Sequence, residues 1–386
     1  LTVAENLYLG APSAVRPGYS QMYSWAAEKL HEYELDIKPS ARIESLSAAQ
    51  VQMLEVVSAL LPRPKVLLLD EPTTALGHAD VQRLHTLIRD LKARGTGVVY
   101  VSHRLPEVLD VADRVTILRD GVSQGTYDAA AMSEAEVVAM MIGRPLETAF
   151  PEIVAAPADS EVLLAVEQFR GRRFGPVDLT LRRGEIVGIA GAEGNGQVPF
   201  LRALAGVEPS HGIVVCAGRT VHLATPPGAI RAGIVLLSAD RKQESIFTAL
   251  SVRANATLQV LRKYARLGFV RRKRERAPVN ALVDRLRLKS ASIEQPTQYL
   301  SGGNQQKVAL MRPFLRGDLN VILADEPTQG VDVGARLDIY HALRDKAAEG
   351  TAVLVKSSDA IELAGICDRV VVMSRGMIVD EIARHE

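Results

Sequence analysis

Two stretches of this 386-residue chain end in adjacent acids behind an apolar run: "VLLLDEP", with Asp70 and Glu71, and "VILADEP", with Asp325 and Glu326. Beside a bound nucleotide, the first acid of such a pair holds Mg²⁺ through its water shell. The second orients and polarises the attacking water. One such stretch alone reads better as a strand capped by a solvated turn; two, each behind a Leu-Ser segment, point to chemistry. The segment before the second pair, "LSGGNQQ", offers Ser301 and the backbone amides of Gly302 and Gly303, ahead of a helix expected from about Gln305. Glycines let a phosphate approach the backbone, and a helix N-terminus adds partial positive charge. His103 follows the apolar "VVYVS" and would serve either as a structural histidine or as a hydrogen-bond partner of a γ-phosphate or attacking water. Its place at a sheet's ligand edge favours the second role.

A fourth stretch, "GAEGNGQV", lies between the apolar "EIVGIA" and the helical "PFLRALAG". Strand, glycine loop and helix in that order suit a phosphate cradle, with Gly191, Gly194, Asn195 and Gly196 forming the loop. Such a loop ends Gly-Lys-Ser/Thr, but this one ends in Gln197 and Val198. Gln197 carries no charge, and Val198 offers a metal no oxygen.

These stretches are held by elements written twice. "LSAAQVQMLEVVSALLPRPKVLLLDEPTTALG" answers to "LSGGNQQKVALMRPFLRGDLNVILADEPTQGVD", and "YVSHRLPEVLDVADRVTILRDG" to "VKSSDAIELAGICDRVVVMSRG". The offset is 254 positions at Leu46/Leu300 and 255 at Asp70/Asp325 (325 − 70), Ser102/Ser357, Asp113/Asp368 and Gly121/Gly376. A duplicated domain explains so constant a spacing. By that offset the glycine loop's partner would precede Leu1, so roughly 95 residues are expected ahead of this chain if the copies are equal. The chain is thus expected to be a fragment, lacking the chemistry of the first copy's glycine loop.

Each copy alternates apolar strands with amphipathic helices. "VQRLHTLIRDL" carries Val81, Leu84, Leu87, Ile88 and Leu91 on one face and stops at Gly95. Fully apolar strands between helices indicate a buried, mostly parallel sheet, whose ligands bind beyond the strands' carboxyl ends. The expected domains are residues 1–125, a linker over 126–160, and residues 161–386.

Composition narrows the rest. A net charge of +1 gives no global field toward nucleic acid or acidic lipid, and two cysteines make no disulfide framework. The basic "RRKRER" at Arg271–Arg276 precedes apolar residues at helical spacing and reads as a solvated helix face. No apolar run approaches the roughly 18 residues of a membrane span.

Glycine loop, Leu-Ser-Gly-Gly, apolar-Asp-Glu-Pro and Ser-His, in that order, resemble the ATP-binding cassette (ABC) ATPases over essentially the whole chain. The duplication, with "LSGGNQQK" and "DEPTQGVDVGA", is similar to double-cassette subunits of ribose/galactose/xylose importers, whereas "EIVGIAGAEGNGQ" is closer to a nucleoside-uptake branch. The resemblance implies an α/β fold of two tandem P-loop NTPase-like cassettes with mostly parallel sheets and helical subdomains, the first incomplete. It implies ATP and Mg²⁺, two separate transmembrane permease subunits, an external or periplasmic solute-binding protein, and a peripheral location on the membrane's cytoplasmic face.

In that family cassettes pack head to tail, so each ATP meets one copy's glycine loop and the other's signature. Site one then takes Asp70, Glu71 and His103 with Ser301, Gly302, Gly303 and Asp332. Site two takes Gln197 and Val198, Asp325 and Glu326, Ser358 where a histidine would stand, and Ser47 followed by Ala48 and Ala49. Gly77 replaces the aspartate at Asp332's counterpart. One competent and one degenerate site are expected. Duplicated cassette proteins acting on ribosomes or nucleic acid are the alternative, but the short, weakly basic interval between the copies disfavours it, and no nucleic-acid partner is expected.

Overall fold

The structure, a computed structural model, describes residues 1–384 apart from 74–75, 103, 120, 144–149, 154–156, 158 and 267. The chain divides into two compact units, Leu1–Gly143 and Arg144–Glu386.

In the first unit the helices are α1 (Val3–Gly10), α2 (Met22–Glu32), α3 (Ala48–Leu60), α4 (His78–Ala93), α5 (Leu105–Val111) and α6 (Glu134–Ile142). Local chemistry sets their starts. Thr2 with Glu5, Ser47 with Gln50 and Ser133 with Glu136 form capping boxes for α1, α3 and α6, each hydroxyl taking an amide that the helix leaves unpaired. Strands β1 (Val66–Asp70) and β2 (Gly97–Val101) pair in parallel; β3 (Arg114–Arg119) and β4 (Val122–Asp128) form an antiparallel hairpin. Leu67 and Leu69 of β1 join a core with Val57, Leu60, Leu84 and Ile88 from α3 and α4.

Two expectations need correction here. The interval 126–160 is not simply a linker: its first half completes β4 and forms α6, whose Val137 and Val138 are buried. The first unit's parallel strands are also not buried on both faces. Val66, Leu68, Val99 and Val101 alternate outward and are half or more exposed. Apolar composition fixed the strand; it did not fix what covers it.

The second unit contains β5 (Val162–Gly171), β6 (Phe174–Arg182), β7 (Ile186–Ala190), α7 (Gln197–Leu204), β8 (Ser210–Cys216), β9 (Arg219–Thr220), α8 (Pro226–Arg231) and β10 (Ile234–Leu237). A helical segment follows: α9 (Val252–Thr257), α10 (Leu261–Tyr264), the small β11 (Ala265–Arg266) and β12 (Phe269–Val270), and α11 (Arg272–Arg285). The unit closes with α12 (Gly302–Phe314), β13 (Val321–Asp325), α13 (Val333–Ala348), β14 (Ala352–Lys356), α14 (Ala360–Ile366), β15 (Arg369–Ser374) and β16 (Met377–Ala383).

Six strands form one sheet in the order β10-β13-β14-β7-β15-β16, parallel except for the last pair. A second, antiparallel sheet runs β6-β5-β8-β9. Here the repeat positions of Val66, Leu68 and Val99, namely Val321, Leu323 and Leu354, are fully buried. They share a core with Phe200, Leu201 and Leu204 of α7 and Phe169 and Phe174 of the antiparallel sheet. The buried parallel sheet expected from the sequence is therefore realised in this unit. The basic run lies on α11 with its arginines exposed; only Glu275 turns inward.

Candidate functional site

The glycine loop sits between β7 and α7, at the carboxyl edge of the parallel sheet. Gly191, Gly194 and Gly196 all have positive φ (146°, 84° and 100°), where a side chain is strained. A Cβ at Gly196 would also lie 2.8 Å from the Arg173 carbonyl oxygen. Asn195 ties the loop to the β15–β16 turn: its Oδ1 accepts from the Arg375 amide at 3.0 Å, and its carbonyl accepts from the Gly376 amide. Gln197 opens α7, is 2% exposed, and donates from Nε2 to the Ala192 carbonyl at 3.1 Å. The glutamine therefore folds back onto the loop. Loop amides and the start of α7 still offer an anion partial positive charge, without a cationic side chain. Val198 follows, half-buried.

Asp325 ends β13 and is buried, while Glu326 turns away at φ 45°. Lys356, the last residue of the neighbouring β14, lies beside Asp325 in register on one side and Ile189 of β7 on the other. Its Nζ is 2.8 Å from Glu326 Oε1 and 3.7 Å from Asp325 Oδ1. The Ser358 amide donates to the same Glu326 oxygen at 2.8 Å. Asp325 Oδ1 has no hydrogen-bond partner, and burial raises its pKa, with Lys356 opposing and Glu326 reinforcing the rise. The first unit repeats the backbone arrangement: Glu71 has φ 48° and its amide donates to the Val101 carbonyl, as Glu326 donates to Lys356. Asp70, however, is exposed where Asp325 is buried. His103 lies outside the described residues.

Ser301 is the N-cap of α12, its side chain accepting from the Asn304 amide. That cap starts the helix at Gly302, three residues before the expected Gln305, so the amides of Gly302 and Gly303 belong to the first turn. Gly303 packs against α13: a Cβ there would lie 2.7 Å from the Ala335 methyl and 3.1 Å from Asp332 Oδ2. Asp332 caps α13 through the Ala335 amide at 2.9 Å. The structure thus brings Ser301, Gly302, Gly303 and Asp332 together. In the first unit Ser47 caps α3 through the Gln50 amide, and Ala48 and Ala49 fill the first turn.

Three groups were not foreseen from the sequence. Arg241 links the signature turn to the loop after the acids, donating to the Gly302 carbonyl at 2.9 Å and the Gly330 carbonyl at 3.4 Å. No first-copy counterpart exists in the chain to flag it. Lys356 had such a signal, since the repeat aligns it with Val101. Glu362, on α14, is 1% exposed and accepts from Ser357 Oγ at 2.6 Å and Thr328 Oγ1 at 3.0 Å, bracing the acid turn against the segment after β14. The first copy repeats this with Thr73 and Glu107, but Arg104 supplies a cation there at 3.1 Å.

Without that cation, burial pushes the Glu362 carboxyl up to about 7, the two hydroxyls opposing. A carboxyl with a raised folded pKa stabilises the fold fully below its unfolded pKa and loses that contribution as pH rises through the folded value. Between pH 5 and 8, urea unfolding should show the second unit losing on the order of 3 kcal/mol from this group. Glu362→Gln should flatten that dependence, and an unchanged pH profile would exclude it.

A mostly parallel α/β sheet with a glycine loop and an acid pair at its carboxyl edge defines a nucleotide-binding cassette. The sequence profile of the ABC transporter family matches residues 1–74 and 174–329, and the chain belongs to that family. It is 41% identical over 389 residues to a putative ribose/galactose/methyl galactoside import ATP-binding protein 1 of Rhizobium meliloti (strain 1021), covering 100% of this chain and 77% of that protein. It is 40% identical over 388 residues to the ribose import ATP-binding protein RbsA of Chelativorans sp. (strain BNC1), covering 100% and 76%. Among solved structures, the bacterial ABC transporter cassette MJ0796 matches with a TM-score of 0.50 at 21% identity, over 57% of this chain and 98% of that one. The ATP-binding cassette MJ1267 matches at 0.51 and 19%, over 59% and 94%. These structural likenesses speak for the fold.

Proposed function

We propose that the chain is the ATP-hydrolysing subunit of an importer for ribose- or galactose-type sugars, acting on separate membrane subunits fed by an external solute-binding protein. The observation that carries this reading is the match, near 40% identity over the whole chain, to import ATP-binding proteins. No helix among the described residues is long and apolar enough to cross a membrane, which fits a subunit docked peripherally at the cytoplasmic face.

Two sets of residues divide the work. In the working set, Glu71 polarises the attacking water and His103 holds the γ-phosphate. Ser301 and the Gly302 and Gly303 amides receive the phosphate, and Asp332 fixes their helix against α13. Mg²⁺, when bound, supplies positive charge to the phosphate oxygens, and Asp70 is the residue placed to hold its water shell. In the silent set, the loop ending Gln197-Val198 cradles ATP without a lysine or a metal-binding hydroxyl, and Ser358 stands in the histidine's place. Ser47 is followed there by two methyl groups. Asp325, with Lys356 beside it and Val198 in place of a hydroxyl, does not fit a metal ion.

Uptake of radiolabelled solutes tests the substrate class. Deleting the gene should abolish ribose or galactose uptake and spare uridine uptake, and a Glu71→Gln copy should fail to restore it. Loss of uridine uptake alone would overturn the sugar assignment; no loss of any would overturn the importer.

A further inference from the structure

Lys356 places a positive charge in a copy whose glycine loop lacks both a lysine and a metal-binding hydroxyl. The loop that would carry a lysine carries Gln197, whose amide is turned back onto the Ala192 carbonyl. The position that would offer a metal an oxygen is Val198. Lys356 stands on β14, the strand between the acid-bearing β13 and the loop-bearing β7, with its side chain largely buried. Its Nζ sits 2.8 Å from Glu326 Oε1 and 3.7 Å from Asp325 Oδ1, an oxygen with this ion pair but no hydrogen bond. In the first copy the same strand position is Val101, so nothing about the fold itself demands a cation there.

We infer that Lys356 is a tethered cation serving the second acid pair in place of Mg²⁺, so that this copy takes up a nucleoside triphosphate without a metal ion. The inference rests on the ATP-binding reading above. The buried Asp325 and the half-buried Glu326 would repel a triphosphate. An ammonium already paired to them neutralises one of the two charges at no cost in metal recruitment. The same pairing holds Glu326 to Lys356 and to the Ser358 amide, which restrains the carboxylate from polarising a water. Metal-independent uptake and absent turnover then share one cause.

Equilibrium dialysis of radiolabelled ATP against the full-length protein tests this, in excess MgCl₂ and in EDTA. Expected are two ATP per chain in Mg²⁺ and one in EDTA. Lys356→Met should weaken the EDTA-resistant binding at least roughly tenfold, as removal of one member of a buried charge pair does, and Lys356→Arg should keep it. Should Lys356→Met fail to fold, the wild-type comparison still decides. Two ATP in Mg²⁺ and none in EDTA overturns the tethered cation alone. EDTA-resistant binding unchanged in a folded Lys356→Met overturns it too. One ATP in Mg²⁺ and none in EDTA means that the second copy binds no ATP, and the underlying reading falls with the inference.

Discussion

Replacing Glu71 by glutamine should lower ATP hydrolysis by the full contribution of a general base, on the order of 10²–10⁴-fold, and Glu326→Gln should leave most of it. The two acids occupy matching places. Each follows an Asp at the end of a parallel strand, each has φ near 48° or 45°, and each donates its amide to the neighbouring strand's last carbonyl. Backbone geometry alone therefore predicts equal losses. The difference lies in their surroundings: Glu326 is ion-paired to Lys356, whereas the first copy has Val101 at that position. A carboxylate held by an ammonium and a backbone amide is not free to turn onto a water, and its loop lacks the lysine that would steady the phosphates. Steady-state phosphate release from both variants, matched for folding by thermal melting, measures the contrast. Equal losses would remove the asymmetry.

A comparably large loss should follow from Gly302→Ala with Gly303→Ala, which copies the first repeat's Ala48-Ala49 into the second. One added methyl would lie 2.9 Å from the Gly330 carbonyl oxygen and the other 2.7 Å from the Ala335 methyl. The first turn of α12 would have to lift off the loop carrying Asp332, moving the amides proposed to receive the phosphate. Alanine also favours helix by about 0.5–1 kcal/mol per site over glycine, which offsets part of the steric cost. Stability should therefore change little while ATPase activity falls roughly 10²–10³-fold, the scale for losing one oxyanion donor. The reciprocal Ala48→Gly with Ala49→Gly should raise activity little, because Gln197, Val198 and Ser358 remain. A double-alanine variant with near-normal activity would remove the signature turn from the working set.

Much of this arrangement was legible in the residues. The apolar-Asp-Glu-Pro strands, the glycine loop and the Leu-Ser stretches announce themselves by type and order, and the constant offset joins them into two copies. The start of α12 was misjudged because Gly302 and Gly303 look like a turn, yet the Ser301 cap recruits both into the helix. The open face of β1 and β2 was equally hidden: "VLLLD" and "VILAD" are nearly the same string, and only the presence of α7 and the antiparallel sheet buries the second. Arg241 acts through contacts between segments distant in sequence, which no local spacing reveals, and Glu362 joins such a contact, from Thr328, to a local one from Ser357. Lys356 is different. Its alignment with Val101 was available, but an apolar strand's last residue draws no notice until its ammonium is seen beside Glu326.

The division into a working and a silent set is tested most directly by identifying the nucleotides that stay with the protein after a single turnover. The full-length protein is loaded with radiolabelled ATP, started with Mg²⁺, quenched after one burst and resolved by chromatography. Equal amounts of retained ATP and ADP are expected, with the ADP replaced by ATP in Glu71→Gln and the ratio unchanged in Glu326→Gln. Complete conversion of both nucleotides to ADP would contradict a silent set in the second copy.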